Sequence, residues 1–212
     1  WKALSELERG DIYLFKIGNS EAAKQSLEAI KDLYPESSAE FKLAKDRLTD
    51  ALNKNTRETG FKAMAEGRVE SAADVFKKHL IDFPRDGQSR AALASIHLIR
   101  GDLKNALEQA ERAYGYNQDE YTASVLGYIY EKIGELDKAE QYYSIGVKFK
   151  PSYVIAKFNL SVVYLLKKRY KDAIELLEGL EIYMPRPPSV IRAKILNNRG
   201  CALWGLGQKD QA

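Results

Sequence analysis

The strongest constraint in this sequence is a glycine followed five residues later by an alanine, at Gly18/Ala23, Gly67/Ala72, Gly101/Ala106, Gly134/Ala139 and Gly207/Ala212. Four residues after the alanine stands a large apolar residue: Leu27, Phe76, Tyr143 and, in a stretch that lacks the glycine, Leu177 after Ala173. Eight residues further comes a proline, at Pro35, Pro84, Pro151 and Pro185, and one copy carries Ala110 and Gln118 at those last two places. A chain whose turns, contacts and stops recur in this way is a stack of similar small units.

Each spacing has a mechanism. A glycine just past a helix takes the left-handed conformation that closes the helix end. Asp102, Glu135 and Asp172 follow, where negative charge meets the positive end of the next helix dipole. The alanine lets two antiparallel helices approach, and the spacing of four keeps it on one face with the large residue. Proline cannot continue a helix interior and marks the end of the second helix. One unit is therefore helix, tight turn, helix, turn. The first helix has its own pattern: Leu126-Gly127-x-x-Tyr130, then Leu93, Ala94 and His97 in the preceding unit, and Leu160, Ser161 and Tyr164 in the following one.

Together these residues resemble the tetratricopeptide repeat. Corresponding positions fall 34, 33 and 34 residues apart over the second to fifth units, close to that family's period of about 34. The expected fold is all-α, a single right-handed superhelical solenoid of antiparallel helix pairs. Its units span approximately 4–36, 54–86, 88–120, 121–153, 155–187 and 194–212. The match is weaker at both ends, with Gly10-Asp11 replacing Leu-Gly in the first unit and Arg199-Gly200 in the last.

Two departures stand out. The first and second units are 49 residues apart, which implies about 15 extra residues. Phe41, Ala44, Leu48, Ala51 and Leu52 share one helical face there. Either an extra helix occupies 38–53 or one long helix runs on to Glu66. The apolar phase continuing into Phe61 and Met64 favours the long helix, whereas Asn53 and Asn55 are mediocre helix formers. The other departure, Pro185-Arg186-Pro187-Pro188-Ser189, lengthens the last link and is expected to reset the angle between units.

The resemblance places the first helix of each pair on the concave side. The second unit then contributes Arg57, Phe61 and Met64 to a groove. The third contributes Ala91, Leu98 and Ile99, and the fourth Tyr121, Tyr128 and Glu131. The fifth adds Ile155, Phe158, Val162 and Leu165, and the last Lys194, Asn197, Cys201 and Trp204. This set is apolar beyond what the repeat requires, and such patches mark interaction sites. The expected function is a non-catalytic scaffold holding an apolar or amphipathic segment of another protein. The alternative is self-assembly into a homo-oligomer through Leu196, Leu203, Trp204 and Leu206 of the last unit. Family members that bind acidic chaperone tails use Lys, Asn, Asn, Lys and Arg. The matching positions here are Arg57, Phe61, Ala92, Tyr121 and Val125, of which only Arg57 is similar. A backbone-gripping asparagine ladder would have only the two rungs Asn159 and Asn198.

The residue inventory argues against other classes. Thirty-three basic and thirty acidic residues leave a net charge of +3, not the gathered basic face of a nucleic-acid binder. The two histidines, His79 and His97, fall at core-type positions, and Cys201 has no histidine partner implied by the repeat. No metal site, cofactor or catalytic constellation is expected. No stretch approaches the ~20 apolar residues that span a bilayer, so no membrane insertion is expected. The chain begins at Trp1 and its last unit stops partway, which reads as a piece of a longer protein and leaves the compartment open.

Overall fold

The computed structural model describes residues 20–36, 38–183, 189–208 and 210. Gly10, Asp11 and Gly18 of the first unit, and the segment 184–188, lie outside them. The described residues are helical with no strand among them. They divide after Pro84 into two compact units, each treated by itself.

The first contains α1 (Ser20–Leu33), α2 (Ala39–Ala65) and α3 (Val69–Asp82). The insert and the first helix of the second repeat are one helix of 27 residues, which rises about 40 Å. Ser38 starts it, its hydroxyl accepting from the Phe41 N–H at 3.1 Å. Asn53 and Asn55 do not break it, because the preceding and following turns supply a continuous apolar face. Phe41, Ala44 and Leu48 pack with Ile30 of α1. Past the asparagines, Gly60 lies under the Phe76 ring of α3, where an added Cβ would come within 2.5 Å.

The second unit contains α4 (Gly87–Ile99), α5 (Leu103–Tyr116), α6 (Glu120–Ile133), α7 (Leu136–Phe149), α8 (Val154–Leu166), α9 (Tyr170–Tyr183) and α10 (Ser189–Gly205). Asp86, Asp102 and Asp119 cap α4, α5 and α6, each side chain accepting from backbone N–H groups of the first turn. Gly101 and Gly134 close α4 and α6 at φ 78° and 92°. The equivalent place after α8 holds Lys168, which is forced to φ 58°.

Alanines form the seams. Ala94, Ala106, Ala110 and Ala139 are fully buried with Leu126, Ile129, Tyr143 and Val163. Gly127 faces the Tyr143 ring so closely that a Cβ would stand 3.0 Å from it. The first helices touch one another in succession, α4 on α6, α6 on α8 and α8 on α10. Among the described residues, the backbones of α5, α7 and α9 do not come so close to one another, and α5 and α7 meet through the side chains Tyr114 and Tyr142. Within residues 85–212 the first helices therefore line the inner side of the stack.

Several of the chain's thirteen tyrosines fill the spaces between helices. Tyr142 stacks on Tyr130 at 5.6 Å and meets Tyr114 edge-on at 5.3 Å. Burial and the neighbouring Glu111, which accepts the Tyr130 hydroxyl at 2.8 Å, push that phenol up to about 12. Burial pushes Tyr153 up to about 12. Tyr143 also rises, through burial and the adjacent Glu131.

Three outcomes follow from this packing. Gly127→Leu drives a side chain into the Tyr143 ring and should lower unfolding stability by about 1–3 kcal/mol in urea titration. Lys168→Gly relieves a left-handed backbone and should raise stability by roughly 1 kcal/mol in the same measurement. Tyr130, Tyr143 and Tyr153 retain their protons to higher pH folded than unfolded. Their contribution is thus complete below the unfolded value of about 10 and is lost as pH rises towards the folded values. The urea midpoint should fall between pH 9 and pH 12.

Candidate protein-binding face

On the inner helices of residues 85–212, successive repeats place side chains at matching positions in the last turn of the helix. Leu98 and Ile99 end α4, Glu131 and Lys132 end α6, and Leu165 and Leu166 end α8. Between α4, the first residue of α5 and α6 lies an open depression of about 540 Å3, lined by Ser95, Leu98, Ile99, Leu103, Tyr128 and Lys132. Ile99 is 64% exposed and Tyr128 39%. The structure thus brings together Leu98, Ile99 and Tyr128 from the residues expected in the groove. Leu103, Lys132 and the exposed Leu166 were not among them. Leu103 opens a second helix, and its contact with the inner side comes from the tightness of the Gly101 turn. Lys132 shared the repeat position of Ile99, and that correspondence was the signal that could have found it.

Lys132 is the only formal charge on the depression's lining. Its ammonium lies 4.7 Å above the centre of the Tyr128 ring and 3.0 Å from Glu131 Oε1. The hydrogen bond with Glu131 holds it above the ordinary lysine value. Glu131 has a side chain only 9% exposed, and its second oxygen accepts the Tyr143 hydroxyl at 3.0 Å. The same phenol is hydrogen-bonded by Asn159 of α8. A buried core tyrosine thus fixes, through one carboxylate, the cation on the surface.

The other expected groove residues divide by depth. Ile155 is 55% exposed and Trp204 61%, and Cys201 is exposed as well. Val162 and Leu165 are half-buried. Phe158 packs on Leu177, Leu180 and Ile195 and belongs to that cluster. Tyr121 is half-buried, its phenol hydrogen-bonded to Ser95 and raised by burial. In the first unit, Arg57 and Met64 are half-buried, and Phe61 meets Phe76 edge-on at 5.2 Å.

Elsewhere, a hollow of about 270 Å3 is lined by Lys168, Arg169, Tyr170, Lys171, Asp172 and Leu206. Arg169 there is bonded to Asp172 at 2.6 Å and to Glu140, and lies over the Tyr164 ring. His79 is buried and stacked on Phe83. His97 is half-buried, not core, with Nδ1 3.2 Å from Asp102. Among the described residues no group of three or more His, Cys, Asp or Glu is placed to hold a metal. No helix among them is long and apolar enough to cross a membrane.

Comparison with solved structures finds the same fold. A crystal structure of MamA protein aligns at 21% identity over 75% of this chain and 85% of that one, with a TM-score of 0.58. The structure of pilF from Pseudomonas aeruginosa aligns at 19% identity over 77% of this chain and 72% of that one, at 0.66. A chain of the APC/C hetero-tetramer Cut9-Hcn1 aligns at 17% identity over 92% of this chain but 42% of its own length, at 0.61. Comparison with curated proteins finds no match. Models of the tetratricopeptide repeat match residues 5–37, 62–121 and 124–187. The chain, an all-α stack of helix pairs, belongs to the tetratricopeptide repeat family of protein–protein interaction scaffolds.

Proposed function

We propose that this chain holds an apolar or amphipathic segment of another protein against the inner helices of residues 85–212, at the depression between α4 and α6. The observation that carries this reading is that depression. Its apolar walls come from Leu98, Ile99, Leu103 and Tyr128, and Ile99 and Tyr128 stay exposed although nothing in the repeat requires apolar residues at their places. A space of about 540 Å3 takes two or three apolar side chains. Burying each contributes on the order of 1.5–3 kcal/mol. The role is non-catalytic and calls for no cofactor.

The test uses the purified chain as bait. The double variant Ile99→Asp/Tyr128→Asp should weaken capture of the partner by at least about tenfold, because both anchors are lost and charge is buried on binding. Phe149→Asp, on an equally exposed apolar residue of the outer helix α7, should leave capture unchanged. Circular dichroism should give wild-type helicity for both variants. Undiminished capture by the double variant would falsify the reading.

A second reading has its own observation. On α10, Val190, Leu196 and Trp204 are 65%, 51% and 61% exposed, which suits docking of another copy. Light scattering separates the two. The groove reading expects a monomer across micromolar concentrations, and a dimer that Leu196→Asp dissociates would favour self-assembly.

A further inference from the structure

We infer that the segment taken up at the α4–α6 depression is acidic as well as apolar: an amphipathic segment of another protein with carboxylates beside its apolar side chains. The inference rests on the groove reading above and names the chemistry of its occupant. Two independent observations lead to it.

One is local. Lys132 stands at the rim with a 43% exposed side chain, among otherwise uncharged lining. An ammonium has three N–H donors. Glu131 takes one at 3.0 Å, and Tyr128, whose ring the cation overlies, takes another. A third donor remains for an incoming acceptor. Glu131 itself offers an incoming cation little, being nearly buried and already accepting from Tyr143 and Lys132.

The other is the distribution of charge over the stack. The inner helices α4, α6, α8 and α10 carry six cationic residues, Arg90, Lys132, Lys157, Arg192, Lys194 and Arg199, against the two acids Glu120 and Glu131, a net of +4. The outer helices α5, α7 and α9 carry five cationic and eight acidic residues, a net of −3. Near-neutrality of the whole chain conceals this polarity. The excess sits on α8 and α10, because Arg90 and Lys132 of α4 and α6 are matched by Glu120 and Glu131. It favours approach of a negatively charged segment along the inner side, with Lys132 the cation it meets at the depression. The positions concerned lie outside those of the chaperone-tail clamp, so the recognition would be an apolar contact edged by carboxylate rather than a carboxylate clamp.

The test is a fluorescence anisotropy titration of the full chain with three labelled 18-residue amphipathic peptides. They share one leucine face and differ only in a polar face of Glu, Gln or Lys. A single-stranded oligonucleotide of the same charge as the Glu peptide is the fourth probe. The Glu peptide should bind tightest, the Lys peptide weakest and the oligonucleotide not measurably. Raising salt from 50 to 500 mM should narrow the gap between Glu and Gln peptides. Lys132→Gln, an exposed and fold-neutral change, should reduce the Glu preference by up to about fivefold, the scale of one exposed pair. Equal or better binding of the Lys peptide, or an unchanged preference in Lys132→Gln, overturns the acidic assignment while leaving the groove reading intact. Binding of the oligonucleotide as tightly as the Glu peptide overturns it in favour of a nucleic acid. Failure of all three peptides, or binding indifferent to Ile99→Asp, overturns the groove reading and the inference with it.

Discussion

How closely two antiparallel helices approach at Gly127 and at the buried alanines decides everything else in residues 85–212. Tyr143 lies flat against the Gly127 backbone, and Ala106, Ala110 and Ala139 are wholly buried at neighbouring seams. Close packing of this kind has no slack, so one added methylene is felt. Large residues are then confined to a few places, and Tyr143, Leu126 and Ile129 occupy them. The repeat's glycines and alanines are thus sites where size is limited, and only the turn glycines are chosen for backbone conformation. Lys168 shows the difference. It keeps the turn without the glycine, at the cost of a strained backbone, because nothing crowds its side chain.

That close approach also shapes the face proposed to bind. α6 and α8 each pack on their own second helix and on the first helices before and after them. Their core-facing residues are used up by these contacts. Residues near the end of a first helix project past the seam. Where Ile99 of α4 faces Tyr128 and Lys132 of α6, a hollow is left. Near the start of α8, Phe158 packs instead against the cluster of Leu177, Leu180 and Ile195.

This explains what was legible in the sequence and what was not. The glycine, alanine and proline spacings are backbone and contact-distance requirements, fixed locally, so they gave the helix pairs and the turns. The 27-residue α2 was legible as a continuing apolar phase. Two asparagines cost only tenths of a kcal/mol each in a helix interior, too little to outweigh packing against α1 and α3. Groove residues are harder. A repeat position tells which way a side chain leaves the helix, but whether it stays exposed depends on the volume of the residue that faces it. Phe61 is covered by Phe76 and Phe158 by a leucine cluster, whereas Ile99 faces open space. Charge partition was legible in principle, since it needs only the residues of each helix and the knowledge of which helices are inner. Reading net charge over the whole chain hid it.

The Tyr143–Glu131–Lys132 chain joins these two layers. Lysine is among the side chains that lose most rotamer freedom when fixed, up to about 2 kcal/mol, and a flexible one at a rim would bring that cost to every binding event. Here the cost is met on folding. Tyr143, which cannot move without disturbing the Gly127 seam, orients Glu131, and Glu131 holds the ammonium over Tyr128. Preorganisation of this kind raises affinity without adding a contact. It also makes the surface cation depend on a hydroxyl in the core. Replacing Tyr143 by phenylalanine would preserve the packing against Gly127 but release Glu131. The depression would keep its shape and lose the fixed position of its charge, which makes the core hydroxyl part of the proposed recognition although it is buried out of a partner's reach.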